Sequence, residues 1–484
     1  MSTINSTTPY DERKQITQDL LSGHPRTRLL YVTPELCLTQ TFRRTLQTVH
    51  AQGQLTRVAI DEAHCISEWG HDFRPAYKEL SWFKHGLSEP SVPITAVTAT
   101  ATPRVRADII DLLGLDRAGL KIFNTPSARP NIHYEVKYLQ DFASDPMEPE
   151  EFQIRDLISW LDSVEARRKA RLGPQTANLP PISGIVYVCF RKICTALAQA
   201  LVHASEGRVN AVAYHAGLST EERSSIQAQW TSPSSFPVQQ PSARKRKRQQ
   251  HENEYDDDND DYEDPEEGEE EEETEGPKVT PTFSIIVATT AFGMGIDNPC
   301  VRFVVHWTPP KSFESFVQES GRAGRDGRAA ASIVYYNLQE RERMSERINR
   351  AAGSTHDRGG PARHAAKQNV QAQHESFQKV IRYCETTTTC RHEMIKELFG
   401  DFEFDRLRSN NTHGGGNGDP GTAKATSQCD YACDICKEGS AAVAARKSKM
   451  VAESHPEDGM EYDYQMVNIL RTMFPQQRGS GGFY

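Results

Sequence analysis

Val58-Ala59-Ile60-Asp61-Glu62-Ala63-His64 is the stretch on which the fold turns: three apolar residues end abruptly in two carboxylates and an imidazole. A short apolar run of this kind reads as a buried strand, and open parallel sheets place their sites at strand C-termini. A strand-end carboxylate suits the Mg2+ of a bound nucleotide, and a second beside it can orient an attacking water. Standing alone, Asp-Glu after a strand means a solvated strand end or a helix start. The adjoining loop weighs against that plainer reading. Cys65-Ile66-Ser67-Glu68-Trp69-Gly70-His71-Asp72-Phe73-Arg74-Pro75 crowds Trp, His, Phe and Arg into six residues of loop. Aromatic rings can stack on bases, and arginine can pair with phosphate.

Working outward, the chain opens on a polar stretch. Leu29 to Val32 then reads as a buried strand ending in Thr33-Pro34-Glu35. Ile94 to Val97 is another, ending in Thr98-Ala99-Thr100-Ala101-Thr102 before a helical pattern over Val105 to Leu113. The pattern restarts near Arg129-Pro130-Asn131. Strands are expected at Ile185 to Val188, Ala211 to Tyr214, Ile285 to Ala288, Val301 to His306 and Ser332 to Tyr336, with helices at Ile193 to Val202 and Thr220 to Trp230. Short apolar strands alternating with helices predict an α/β fold with two parallel sheets. Past Asn337 the text turns helical and polar, then cysteine-bearing. The expected division is 1–128, 129–340, 341–440 and a weakly patterned tail, 441–484.

Composition bounds the rest. A chain of 484 residues has room for two or three domains. A hydrophobic content of 37% and a mean hydropathy of −0.64 point to stretches outside any core. The net charge of −10 is unevenly spread, because Glu252 to Glu275 holds 17 acidic residues and no Lys or Arg. The remaining residues, 56 basic against 49 acidic, sum to +7, which permits nucleic-acid binding without arguing strongly for it. Residues 231–281 cannot build a core and read as a disordered insertion, open to protein partners through its acidic run. Its basic cluster, Arg244 to Arg248, suits a nuclear-import signal; the blander reading is a patch that neutralises the acidic run beside it. No run approaches the roughly 20 apolar residues of a membrane span, and no secretory pattern opens the chain. The expectation is a soluble nuclear protein with no membrane partner.

The run from Asp61 to Pro75 resembles the DEAH box and aromatic-rich loop of RecQ-family DNA helicases. The resemblance continues through Thr98-Ala99-Thr100-Ala101-Thr102, Tyr214-His215-Ala216-Gly217-Leu218 and Ala288-Thr289-Thr290-Ala291-Phe292-Gly293-Met294-Gly295-Ile296-Asp297. It culminates in Gln318-Glu319-Ser320-Gly321-Arg322-Ala323-Gly324-Arg325-Asp326-Gly327. In that turn, two arginines at i and i+3 can reach the γ-phosphate of an ATP held by the other lobe. The resemblance implies two RecA-like lobes, the first incomplete, followed by a small helical zinc-binding subdomain. It implies an ATP-dependent 3′-to-5′ helicase acting on single strands and duplex junctions in recombination, repair or replication. Asp61, Glu62, Arg322 and Arg325 would be catalytic, with Mg2+ accompanying ATP. His64, Gln318, Gly295 and Asp297 would couple to nucleotide, and Trp69, His71, Phe73, Arg74, Thr98 and Thr100 would contact DNA. One motif departs from the family: Tyr187-Val188-Cys189-Phe190-Arg191 carries Cys-Phe where a small polar pair is usual.

The ten cysteines divide cleanly. Cys37, Cys65, Cys189, Cys194 and Cys300 are scattered singly and read as core or bystander residues. Cys429, Cys433 and Cys436 form C-x3-C-x2-C, which with one more ligand suits tetrahedral zinc. Cys390, Cys384 and His392 compete for that place, and the resemblance favours Cys390.

One expected part is missing. The family's chemistry needs G-x-x-x-x-G-K-[ST], a loop whose backbone N–H groups and lysine cradle phosphates. No Gly-Lys-Ser or Gly-Lys-Thr occurs anywhere in the chain. The resemblance covers about 10–230 and 282–437, past the family's phosphate loop, which reads as a loss of the N-terminal part. Two possibilities arise: a helicase by descent whose turnover as written is at most slight, or an inactive DNA-binding or interaction protein on the same frame.

Overall fold

The computed structural model describes residues 1–69, 73–139, 149–173, 179–231, 280–290, 292–293, 297–353, 361–401 and 433–450. The charged insertion, including Arg244 to Arg248 and the acidic run, lies outside the described residues, as do His71, Gly295 and Cys429.

In the first lobe, β1 (Ser2–Ile4) pairs in parallel with β2 (Leu30–Val32), and β3 (Val58–Ile60) with β4 (Ile94–Ala96). The polar opening therefore holds a strand, anchored by Ile4 at 2% exposure. Ile4 packs with Ile16, Leu20 and Val49, and Leu30 and Val32 close over them. The strand expected to be buried from Leu29 is only half buried, with Leu29 and Tyr31 50% and 53% exposed. Period-two alternation explains this, since Leu30 and Val32 face the cluster and Tyr31 faces away.

The second lobe is built on six parallel strands: β5 (Ile132–Tyr138), β6 (Ile182–Tyr187), β7 (Val209–Tyr214), β8 (Phe283–Ala288), β9 (Val301–His306) and β10 (Ala330–Tyr336). Their order across the sheet is β5-β10-β9-β6-β8-β7. Central β6 and β8 are buried along their whole length, as apolar strands covered on both faces must be. Edge strand β5 instead alternates, with Ile132, Tyr134, Val136 and Tyr138 buried and the residues between them half buried. Within β6, Gly184 lets β9 come close: a Cβ there would run into the ring of Phe303.

Alternation along these strands sorts the core into two faces. Val186, Ile285, Val287, Phe303 and Val305 pack with the helices Pro149–Leu172 and Arg191–Ala204. Ile185, Ile286 and Val304 point the other way, into a cluster shared with the helices Phe313–Ser320, Pro361–Glu385 and Arg391–Phe399. The cysteine-bearing region is therefore continuous with the second lobe's core. A fully buried ion pair fastens it: the Arg391 guanidinium grips both Asp434 carboxylate oxygens at 2.7 and 2.8 Å, and Asp434 also accepts the Val136 N–H of β5. The class is the expected one, parallel-sheet α/β followed by a helical, cysteine-bearing region, but among the described residues the first lobe's strands form two separate pairs rather than one sheet.

Candidate active site and metal centre

β3 delivers Asp61 and Glu62 to its C-terminal end, and the backbone then turns sharply. Glu62 sits in the left-handed region at φ 49°, ψ 42°, and the Asp61 carboxylate accepts its N–H at 2.9 Å. The turn Ala63–Ile66 dives into the core, with Ala63, His64, Cys65 and Ile66 all nearly fully buried. The His64 Nδ1 lies 2.9 Å from Thr98 Oγ1 and 3.2 Å from a Glu62 carboxylate oxygen. The strand-end loop after β4 is thereby tied to the carboxylate pair. Thr98 and Thr100 are taken up inside this arrangement; Thr100 is 1% exposed, and its hydroxyl has no hydrogen-bond partner among the described residues. Tyr77 donates to the Asp61 carbonyl at 3.2 Å, and burial pushes its phenol up to about 12.

The second lobe faces this with the turn after the helix Phe313–Ser320, which Ser312 caps. The Gln318 amide lies 3.5 Å from the Glu62 carboxylate, a direct link between the lobes. Arg322 donates to the Gly293 carbonyl, and Arg325 lies 3.4 Å from the exposed Asp297 carboxylate. Asp61, Glu62, Asp297, Gln318, Arg322 and Arg325 line one cleft of about 1410 Å3. Two residues that sequence reasoning passed over hold the arginine turn. Arg129 donates to the Gly324 carbonyl at 2.6 Å, and the Asn131 amide donates to the Gly324 and Arg328 carbonyls at 2.9 and 2.8 Å. Asp326 is held below the usual carboxylate range: partial burial opposes this, but the Arg302 guanidinium at 2.8 Å outweighs it.

The aromatic-rich loop lies beside the first lobe. The Arg104 guanidinium carbon lies 3.1 Å from the Trp69 ring centroid, and the Lys78 ammonium lies 5.1 Å from that of Phe73. One face of Trp69 is therefore already stacked. Ser67 receives the Trp69 N–H at 3.1 Å and donates to Asp108, fixing the loop's start. Arg74 is half buried and anchors its N–H on the Cys65 carbonyl at 2.9 Å. In the divergent motif, the Cys189 thiol lies 3.1 Å from the Thr308 hydroxyl.

Among the cysteines, Cys390 and Cys433 come together with thiols 3.9 Å apart, and a His392 ligand atom lies within 4.8 Å of both. That separation fits zinc, since a tetrahedron with Zn–S bonds of about 2.3 Å has an edge of about 3.8 Å. Without metal, the Cys390 contact and burial push the Cys433 thiol up to about 11; zinc binding would require both thiols to lose their protons. Cys384 is fully buried, pushed up to about 12 by that burial, and outside this group. Cys436 is exposed and contributes no thiol to it. Cys37, Cys65 and Cys194 are buried; Cys189 and Cys300 are exposed.

Comparison with known proteins matches this geometry. The DEAD/DEAH box helicase family matches residues 2–109, starting ahead of the residue near 10 where the resemblance was expected to begin. The helicase conserved C-terminal domain matches 265–327, and the RecQ zinc-binding family matches 338–437. ATP-dependent DNA helicase Q5 of Rattus norvegicus is 30% identical over 100% of this chain and 40% of its own length. Its Mus musculus counterpart is 32% identical over 83% of this chain and 33% of its own. ATP-dependent helicase SGS1 of Saccharomyces cerevisiae is 31% identical over 78% of this chain and 20% of its own. The chain thus spans 40% or less of the length of these relatives. With a DEAH carboxylate pair on one wall of the cleft, an arginine turn on the other and a zinc-binding region fused behind, the chain belongs to the RecQ family of helicases.

Proposed function

We propose that this chain forms the cleft and DNA path of an ATP-dependent 3′-to-5′ DNA helicase. The observation that carries this reading is the convergence of Asp61, Glu62, Gln318, Arg322 and Arg325 on one interlobe cleft. Asp61 would hold the Mg2+ that travels with ATP, which neutralises phosphate charge. Glu62 would orient water, and Arg322 and Arg325, released from Gly293 and Asp297, would meet the terminal phosphate. His64, Gln318, Asp297 and Gly295 would relay the nucleotide state, Asp297 from the cleft's second wall. Trp69, His71, Phe73 and Arg74 would meet single-stranded DNA, with Thr98 and Thr100 acting through the DEAH turn. Zinc would be held by the four thiolates of Cys390, Cys429, Cys433 and Cys436, the first and third of which the fold already brings together. Arg244 to Arg248 would direct the chain to the nucleus, where duplex junctions in repair and recombination are its substrates. Protein partners would meet the acidic insertion. No helix among the described residues is long and apolar enough to cross a membrane.

A second reading is a DNA-binding protein without turnover; the 484 residues hold no Gly-Lys-Ser or Gly-Lys-Thr. Without that cradle, this 484-residue chain should show only trace DNA-stimulated hydrolysis. The test is steady-state ATPase and strand separation on 3′-tailed against 5′-tailed duplexes, with Glu62→Gln as control. Robust hydrolysis abolished by Glu62→Gln would establish the motor and refute the expectation of trace turnover. Tight single-strand binding with no hydrolysis would establish the second reading. Preference for a 5′ tail would overturn the polarity.

A further inference from the structure

Strand β4 has one open edge. Among the described residues it pairs only with β3, where the Val58 N–H donates to the Pro93 carbonyl at 3.0 Å and the Val97 N–H to the Ile60 carbonyl at 2.8 Å. Alternate residues of a parallel strand turn their backbone groups to opposite sides, so Pro93, Thr95 and Val97 serve β3. The N–H and C=O groups of Ile94 and Ala96 point the other way. Residues 120–126 make a second open edge. They run without turn or bend, and their backbone pairs with no other backbone among the described residues. Ile122 and Phe123 within them are 52% and 92% exposed. Both segments line the interlobe cleft, together with Ile109, Ile110 and Leu115. At about 1410 Å3 that cleft exceeds the roughly 300–1,000 Å3 of a small-molecule pocket.

We propose that the groove between β4 and residues 120–126 is a docking site for one extended strand of a partner polypeptide, lying parallel to β4. An unpaired strand edge is a template for an added strand. Two such edges border one cleft here, so a single strand can pair on both sides and cover Ile122 and Phe123. Every strand pair described in this chain is parallel. The lining sets the chemistry of the partner. Side chains that meet Ile109, Ile110 and Leu115 must be apolar. Arg57, one residue ahead of β3, donates to Thr95 Oγ1 at 3.0 Å and puts an exposed guanidinium where β4 begins. Exposed Lys121 lines the same cleft. The partner strand therefore opens on acidic residues and continues with apolar ones. Docking needs neither ATP nor DNA, so it goes beyond the motor reading and does not depend on it.

The experiment uses the full chain and a synthetic peptide of two Asp followed by alternating Val and Thr, read by fluorescence anisotropy and amide hydrogen exchange. Binding should slow exchange at least about tenfold at Ile94, Ala96 and residues 121–125. Val97, already bonded to β3, should stay as it was. A backbone N-methylated peptide with the same side chains should bind at least about tenfold more weakly, since its hydrogen bonds are lost. Ile122→Asp with Phe123→Asp should weaken binding of the parent peptide as well; both positions are exposed, so the fold should hold. Arg57→Glu should shift the preference to a peptide headed by Lys. No binding, equal affinity for the N-methylated peptide, or binding without protection of these amides overturns the proposal. Protection in the free chain that grows with protein concentration would seat a second copy in the groove, and protection by ATP alone would make it part of the nucleotide site. Either result overturns the proposal too.

Discussion

Gly324 illustrates how a single residue holds the cleft's arginine turn. Its φ of +60° lies in the left-handed region, and a Cβ there would sit 2.5 Å from the Asn131 amide nitrogen and 2.9 Å from the Arg328 carbonyl oxygen. Gly327, at φ +78°, meets nothing within 4 Å. Gly324→Ala should therefore destabilise by about 2–3 kcal/mol and Gly327→Ala by about 1 kcal/mol, since the latter carries only the backbone penalty. Urea unfolding measures both, and equal losses would mean that Asn131 and the Arg328 carbonyl yield readily. The Arg391–Asp434 pair sets a sharper trial. Both partners are fully buried, so Asp434→Ala strands a charge and should cost about 3–5 kcal/mol. Replacing both partners, as Arg391→Met with Asp434→Leu, should recover most of that loss. A double variant no more stable than the single would show that the pair does more than neutralise itself, through the Val136 N–H and the Tyr383 carbonyl it also binds.

At the scale of elements, the helix Arg391–Phe399 links the thiol pair of Cys390 and Cys433 to the second lobe. Cys390 precedes it, His392 in its first turn reaches the backbone of Arg129 and Ile132, and Asp401 just beyond its end accepts the Ser127 N–H at 2.7 Å. Chelating the metal should free this helix before it disturbs the sheet. Amide hydrogen exchange should quicken at Ala323, Gly324 and Gly327 while β6 and β8 stay protected, because the turn is held by Arg129 and the strands by two-sided burial. Uniform quickening, or none, would deny the helix this linking role. The aromatic loop carries its own prediction. If bases stack on this loop, Trp69→Ala with Phe73→Ala should weaken single-stranded DNA binding by about 1–3 kcal/mol per stacked base lost. Unchanged affinity in a folded double variant would make the loop purely structural.

At the scale of the whole molecule, charge is the lever. The mildly basic remainder should attract phosphate, and the run from Glu252 to Glu275, with 17 acidic residues, is expected to compete with DNA for it. Deleting 249–276 should tighten single-strand binding. The gain should be larger near 10 mM salt, where charges act over about 30 Å, than at physiological salt, where screening sets in by about 8 Å. Filter binding or anisotropy across a salt series measures this. A gain independent of salt would point to steric rather than electrostatic competition.

Sequence by itself determined the α/β class and picked out the DEAH carboxylates, the arginine turn and, of the four cysteines it grouped, the Cys390 and Cys433 that meet. Each is written locally: an apolar run that stops at a charge, or functional residues at fixed spacing. β5 is not marked that way, although Ile132, Tyr134, Val136 and Tyr138 alternate cleanly with polar residues. Unbroken apolar runs mark the sheet's two-sided centre, and an edge strand need not have one. β1 is unmarked because three residues with one buried isoleucine carry too little pattern. Tertiary structure alone decided that Glu62 and Gln318, 256 residues apart in the chain, would meet. It alone showed that Arg129 and Asn131 brace the arginine turn, and that His392 rather than Cys384 joins the thiol pair. The physical reason is common to all three. A hydrogen-bond partner or a metal ligand is chosen by where folding brings an atom, and that is not written in the spacing of residues along the chain.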